Sequence, residues 1–448
     1  PQWGQSRDTD GAVAIQKDRV AAVGLSADLE TKFPSLPHSD LHNRAILPGL
    51  INSHTHTVLT VLRGAIENGV GNRVYGYMVP ITFSMSDDER RALAALGCLE
   101  AIRSGTTTLV DPLRFVPSYA GTMADTGLRL YLSESAADAV TTEIRTSGYR
   151  YERTLGEAFL ERTVNLIDTY HNTRDGRVQC MVAAHAPDNC SPWMLDTLRE
   201  LATSRGLRRT VHLAQSQQEV DQVKVITGDR TPTEYLLDHG WLASDVLVAH
   251  CTHCTESDIG LLAETGTSMA HCPASSSRRG HHGLANMPGL ADAGVNVTLG
   301  TDNMSEDMFE ALRIGTIVNR GLRGDGQHPT PAEMLKWATT NACQALGRDD
   351  LGSLEPGKTA DLTVIRLDRP HLTPILAVVS SLVHYGQASD VESVMVGGDW
   401  VMRDGIVLTM DEEATIEGAQ QASINAWERL RARWPDIEVV PALERSKA

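Results

Sequence analysis

Between about residues 49 and 350 the chain alternates short, uniformly apolar runs with longer stretches of helical periodicity, and few folds accept that rhythm. The strand-length runs are 46–56, 106–112, 129–135, 178–187, 209–215, 246–252, 267–273 and 295–303. Helix-length patterns such as 88–103, 152–173, 192–204 and 256–265 lie between them. Strands this apolar are expected only where both faces are buried. Eight of them, each followed by a helix, predict a closed α/β structure, a (β/α)8 TIM barrel, rather than an open sheet.

The two ends have a different texture. Val13 and Ile15 alternate with Ala12 and Ala14, Lys17-Asp18 reads as a turn, and a strand resumes from Val20 to Val23. Strands recur at 362–365, 391–396 and 400–402, with turns at Gly397-Gly398 and Asp404-Gly405. The expected organisation is a small β-sandwich domain built from 1–48 plus 351–410, a barrel over 49–350, and a C-terminal helix and tail over 411–448. That helix, 411–435, reads as polar and ends before Pro435.

Composition narrows the partners. With 57 acidic against 40 basic residues, the net charge of −17 argues against nucleic acid or an anionic membrane surface. No apolar run reaches the roughly 18 residues of a membrane span, and no basic-then-apolar leader opens the chain. The chain starts at Pro1 rather than at a methionine, so preceding residues are expected. Seven scattered cysteines do not resemble a disulfide framework, which makes the cytoplasm the expected compartment. Cys251 and Cys254 form a lone C-x-x-C behind a strand, which supports neither a zinc ribbon nor a redox site.

The candidate chemistry gathers at strand ends. His54 and His56, two apart on the first barrel strand, point to one face. Alone, such a pair is a weak signal. Its weight comes from His212 ending the fifth strand, His250 the sixth, His271 near the end of the seventh, and Asp302 ending the eighth. Barrel chemistry collects at the carboxyl ends of strands. Three imidazoles and a carboxylate there suit a borderline divalent ion, zinc or iron(II), with a position left for water.

These runs resemble the amidohydrolase superfamily. The resemblance is carried by Pro48-Gly49-Leu50-Ile51-Asn52-Ser53-His54-Thr55-His56, His212-Leu213-Ala214, Ala249-His250-Cys251, His271-Cys272-Pro273 and Leu299-Gly300-Thr301-Asp302. The most similar branch holds cytosine, guanine and adenosine-type deaminases and triazine hydrolases, and Leu354–Leu362 resembles its turn back into the small β domain. The resemblance implies one divalent metal per chain on His54, His56, His212 and Asp302, with zinc the first choice and iron(II) the second. It makes Asp302, His250 and Gln215 the catalytic residues, and His185, Asn303 and Ser305 substrate contacts. The fourth strand offers His185 and no lysine, so a bridged two-metal centre has no ligand there. The implied reaction is deamination, or a related displacement at a C–N bond of a small nitrogen heterocycle, by a water that the ion activates. A small-molecule substrate and a homo-oligomeric assembly are expected.

Gln215 departs from the branch, which usually places a glutamate three residues after the fifth-strand histidine. A glutamate can carry a proton to a ring nitrogen, whereas an amide can only donate or accept a hydrogen bond. Gln215 is then natural, or the substrate is an amide, urea or carbamate needing no ring protonation, or the residue is a trapping replacement. A catalytically impaired binding homologue is the reading from another class. Among the remaining polar residues, His253 and His271 are open between support of the site and packing. Arg278, Arg279, His281 and His282 read as a solvated loop, with an anion-binding wall as the alternative. Arg63, Glu67, Tyr75 and Trp193 are unranked candidates over the mouth, and Met304 and Asp307 are candidates beside Asp302.

Overall fold

The computed structural model describes residues 10–67, 72–280 and 283–437. Its centre is a parallel barrel. The first strands in chain order, β1 (Gly11–Gln16), β2 (Arg19–Leu25) and β3 (Arg44–Pro48), lie outside it. The barrel runs through β4 (Leu50–Asn52), β5 (Thr106–Leu113), β6 (Arg129–Ala136), β7 (Val178–Cys180) with β8 (Val182–Ala184), β9 (Arg209–Leu213), β10 (Val246–His250), β11 (Ser268–His271) and β12 (Val297–Leu299). The expected fourth strand is thus interrupted, with both β7 and β8 pairing β6.

Closure depends on backbone bonds just past the ends of β4 and β12. The amide of Ser53 donates to Leu299 O at 2.9 Å, and those of Thr301 and Asp302 to His54 O at 3.1 and 2.9 Å. Ile51, Val110, Tyr131, Met181, Leu247, Ala249 and Ala270 fill the barrel floor with Ala342, Cys343 and Leu346. That end is sealed by packed apolar side chains, which leaves polar chemistry to the carboxyl ends.

The expected first strand, 46–56, is two strands in two sheets. Gly49 is the pivot: its amide donates to Asp361 O at 3.0 Å, and an added Cβ would lie 2.2 Å from Thr107. Before it, β3 joins an antiparallel sheet with β13 (Leu362–Arg366), β14 (Val391–Val396), β15 (Asp399–Arg403) and β16 (Ile406–Val407), in the order β16-β15-β14-β13-β3. The β1–β2 hairpin, turning at Lys17 in the left-handed region, is a separate two-stranded sheet. It is tied to the chain before β13: Val20 N–H donates to Lys358 O and Gly357 N–H to Val20 O, both at 2.8 Å. Val20, Leu354, Ala360, Leu362, Val364 and Met395 share one apolar cluster, so segments from both termini pack together.

The polar reading of the last helix is half right. Helix Glu412–Arg433 buries Ala419, Ala422, Ala426, Trp427 and Leu430. Trp427 Nε1–H donates to Val61 O at 2.8 Å, and Arg429 pairs with Glu89 at 2.6 Å, docking the helix on the barrel. No described helix is long and apolar enough to cross a membrane.

One buried ion pair joins the barrel to the antiparallel sheet. Arg129 on β6 meets Asp361 through Nε at 2.9 Å and Nη2 at 3.1 Å, and Asp361 also accepts from Gly397 N–H at 2.7 Å. Removing one partner leaves a buried charge alone, which typically costs about 3–5 kcal/mol. We expect Asp361→Ala to lower the melting temperature by several degrees while leaving turnover per folded molecule unchanged. Calorimetry with an activity titration checks this.

Candidate active site

Each candidate ligand lies at or just beyond a strand's carboxyl end. His54 and His56 follow β4, His212 is within β9, His250 ends β10, and Asp302 follows β12. The ligand atoms of His54, His56 and His212 lie within 4.8 Å of one another, as do those of His54, His250 and Asp302. His56 Nε2 is 3.2 Å from His212 Nε2 and 3.5 Å from an Asp302 oxygen. All five side chains are buried.

The local backbone is bent to make this convergence. His250 (φ 78°) and Asp302 (φ 69°) both occupy the left-handed region, as do Ala214 and Cys251 beside them. Non-glycine residues are held there only where the surroundings over-determine them, at roughly 1–3 kcal/mol each.

Electrostatics leaves the imidazoles neutral. Burial pulls His54, His56 and His212 down to about 3, and His250 and His185 well below their usual value. Neutral imidazole is the form that binds metal. Burial pushes Asp302 up, but the facing His250, His56 and His54 and a bond from Ser275 outweigh it and hold the carboxyl well below its usual range. His212 Nδ1 lies 2.6 Å from His185 O, so the ring donates there and keeps the lone pair on Nε2. Asn189, whose oxygen accepts from Ala186 N–H, turns its amide N–H to His185 Nδ1 at 2.6 Å, leaving Nε2 as the donor nitrogen of His185.

His56, His212, His250, Ser275 and Asp302 border a cavity of about 570 Å³. His185, Gln215, Asn303, Met304 and His253 line it too. Gln215 is buried, its backbone pinned by N–H to Glu219 at 2.8 Å and by a bond from Arg279 to its carbonyl at 2.8 Å. Glu219 cannot stand in for the missing acid, because its two oxygens accept the amides of Ala214 and Gln215.

Several expectations need correction. Ser305 does not border the cavity; its hydroxyl donates to Glu310 at 2.9 Å. Arg63, Glu67, Tyr75 and Trp193 do not border it either. Arg63 binds Glu100 and Met304 O, Glu67 accepts Gly64 N–H, Tyr75 donates to buried Asp188, and Trp193 lies under Arg153. Asp307 caps helix Met308–Arg323. His271 is buried with its ring edge-on to Trp337, away from the cavity. Arg279 is not solvated: it joins the cavity wall, whereas Arg278 faces Glu310 at 3.8 Å. His281 and His282 lie outside the described residues.

Sequence reasoning missed three residues. Ser275, in the short helix Pro273–Ser277 after β11, donates to Asp302. Arg114 lines the cavity just past β5, a position that the strand-end rule could have flagged. Glu306, fully buried, accepts from Asn52 at 3.0 Å and from Thr55 at 2.7 Å, joining the segments that carry His54, His56 and Asp302. Burial pushes the Glu306 carboxyl well above its usual value.

Comparison with known proteins agrees with this geometry. The model of the amidohydrolase family matches residues 45–401. A 5-methylthioadenosine/S-adenosylhomocysteine deaminase of Moorella thermoacetica is 32% identical over 413 residues, 90% of this chain and 92% of that protein. A 5'-deoxyadenosine deaminase of Methanosarcina acetivorans is 30% identical over 419 residues, 92% of this chain and 93% of that protein. The crystal structure of an adenosine deaminase from Xanthomonas campestris with bound zinc superimposes with a TM-score of 0.80, at 26% identity, over 94% of each chain.

Glu306 gives this site its own test. Because an amide oxygen can accept the same bonds from Asn52 and Thr55, Glu306→Gln should keep metal affinity within about threefold, whereas Glu306→Ala should weaken it by about 10–100-fold, as for other residues that orient metal ligands. Competition against a chromophoric chelator measures both.

Proposed function

This chain belongs to the amidohydrolase family, and on that premise we propose that it is a mononuclear metal-dependent aminohydrolase acting on a small nitrogen heterocycle. An adenine-type nucleoside is the first candidate, because the relatives at 30% identity and above are named as deaminases of such compounds.

One observation carries the reading. Both nitrogens of His54, Nδ1 of His56 and Nδ1 of His250 are buried without a hydrogen-bond partner among the described residues. Buried unpaired polar atoms cost about 1–3 kcal/mol each, so a cluster of them beside an ionised carboxylate calls for a cation. Neutral imidazoles with one carboxylate fit a borderline divalent ion, zinc first and iron(II) second. His54, His56, His212 and Asp302 would hold it. Such an ion, when bound, lowers the pKa of water towards ~7 and so supplies a nucleophile at neutral pH.

The chain's own groups then divide the work. Asp302, ionised at neutral pH, accepts the proton of the attacking water. His250, neutral and deep in the cavity, hydrogen-bonds the oxygen that adds to the ring carbon and steadies the charge that develops there. His185 offers Nε2–H, and Asn303 an amide, to hold the heterocycle. Gln215 donates its amide N–H to the ring nitrogen without releasing a proton, and Asp302 returns its proton to the departing ammonia.

A second reading rests on the cavity itself: Asp302 is the only carboxylate among its lining residues. With no other acid to protonate a ring, hydrolysis of an amide, urea or carbamate carbon becomes the alternative. We further propose residues 49–350 as the catalytic unit, with 1–48 and 351–410 as its β-domain and 411–448 as its C-terminal tail. The seven free cysteines suit a cytoplasmic setting, and exposed Ile317 and Tyr385 suit a homo-oligomer.

Release of ammonia from adenosine, 5'-deoxyadenosine, guanine, pterins and aminotriazines, beside ureas and carbamates, separates the two readings. For a ring amine, Gln215→Ala should cost about ten- to a hundred-fold in kcat/KM, one hydrogen bond to the transition state. Gln215→Glu should equal or exceed the parent on ring amines. An unchanged rate in both variants would remove Gln215 from the chemistry.

A further inference from the structure

Arg114 has no explanation in the chemistry above. It ends the β5 segment, is 2% exposed, and lines the same cavity as His56, His185 and His212. Its Nε and Nη2 have no hydrogen-bond partner among the described residues. Of the buried carboxylates that interact with it, Glu134 is committed to Arg162 at 2.8 Å, and Asp188 accepts the hydroxyls of Tyr75 and Tyr149. The nearest aromatic compensation, Phe83, is 6.0 Å from the guanidinium to the ring centre, at the outer limit of a cation–π contact.

A buried guanidinium with no hydrogen-bonded counter-ion is costly, and proteins rarely keep one without a use. Two further arginines, Arg73 and Arg279, border the same cavity. Three guanidinium groups therefore face one carboxylate, Asp302, which the proposed metal claims. The whole chain is acidic, at −17, so this local excess of positive charge is not a by-product of composition.

We propose that Arg114 anchors a carboxylate on the substrate. The guanidinium fork matches a planar carboxylate bidentately, and its desolvated position makes that pairing stronger than it would be at a surface. Arg279 and Arg73 extend the positive wall and draw the anion in. The substrate is then an amine-bearing heterocycle with an acidic substituent, which rests on reading this cavity as the substrate site.

Matched probes test it on the zinc-loaded full chain: pterin-6-carboxylate against pterin, and adenosine-5'-carboxylate against its carboxamide. Calorimetry measures binding, and ammonia release is followed separately. At least one acid should bind about 10–100-fold tighter than its neutral partner, the range for one hydrogen bond to a charged group. In Arg114→Met that ratio should fall to within about threefold of one. Arg114→Lys, which keeps charge but loses the fork, should lie between. Without ligand, Arg114→Met should melt no lower than the parent, because it removes an unpaired buried charge. Should Arg114→Met not fold, Arg114→Lys and Arg114→Gln carry the same comparison.

Equal binding of acid and neutral partner, or no acid of either pair binding at all, overturns the proposal. So does an acid preference that survives in Arg114→Met, since the carboxylate would then sit on the metal. An acid preference without ammonia release keeps the anchor and removes the aminohydrolase reading. Ammonia release without acid preference does the reverse.

Discussion

Where β12 meets β4 the barrel closes, and the same backbone bonds set the site. The carbonyl of His54 accepts two amides from the opposite strand end, Thr301 and Asp302, while Ser53 donates to Leu299. Gly300 makes the approach possible: an added Cβ would lie 2.7 Å from His54 O. The seam that completes the barrel therefore also places His54 and His56 against Asp302. Beneath it, Glu306 joins Asn52 and Thr55 on one side to Thr301 on the other. Fold closure and ligand convergence are one event, so a change at the seam disturbs both.

Around that seam the charge is arranged against the composition of the chain. The imidazoles are neutral because they are buried, the Asp302 carboxyl lies below its usual range with a bond from Ser275, and the remaining charge among the described lining residues is arginine. A cavity of this sign in an acidic protein selects its ligand by field as well as by shape. It also explains how one carboxylate can serve as ligand and proton acceptor. With its pKa lowered, the Asp302 carboxyl is in the ionised form that both roles require.

Much of this was legible in the sequence because it depends on local period. Apolar runs separated by helical patterns gave the parallel strands, and side chains two apart gave the shared face of His54 and His56. The strand-end rule located His212, His250 and Asp302. What was not legible depends on contacts between distant segments. The split of 46–56 at Gly49 follows from Thr107 and Asp361. The burial of one face of the 412–433 helix follows from Val61 and Glu89. Glu306, in a loop, and Ser275, in the short helix Pro273–Ser277, have partners that are fixed only when the barrel closes. Ser305 fails for the opposite reason: nearness to Asp302 in sequence does not aim its hydroxyl, which the helix at Met308–Arg323 takes through Glu310.

The central claim is that three imidazoles and one carboxylate at this seam hold a single metal. X-ray absorption at the metal edge, with elemental analysis of the protein purified after zinc-replete expression, tests it most directly. The account predicts one zinc per chain with three imidazole nitrogens and the rest oxygen, lost together in His54→Ala, His212→Ala or Asp302→Ala. Two metals per chain, sulfur in the coordination sphere, or an unchanged spectrum in those variants would contradict it.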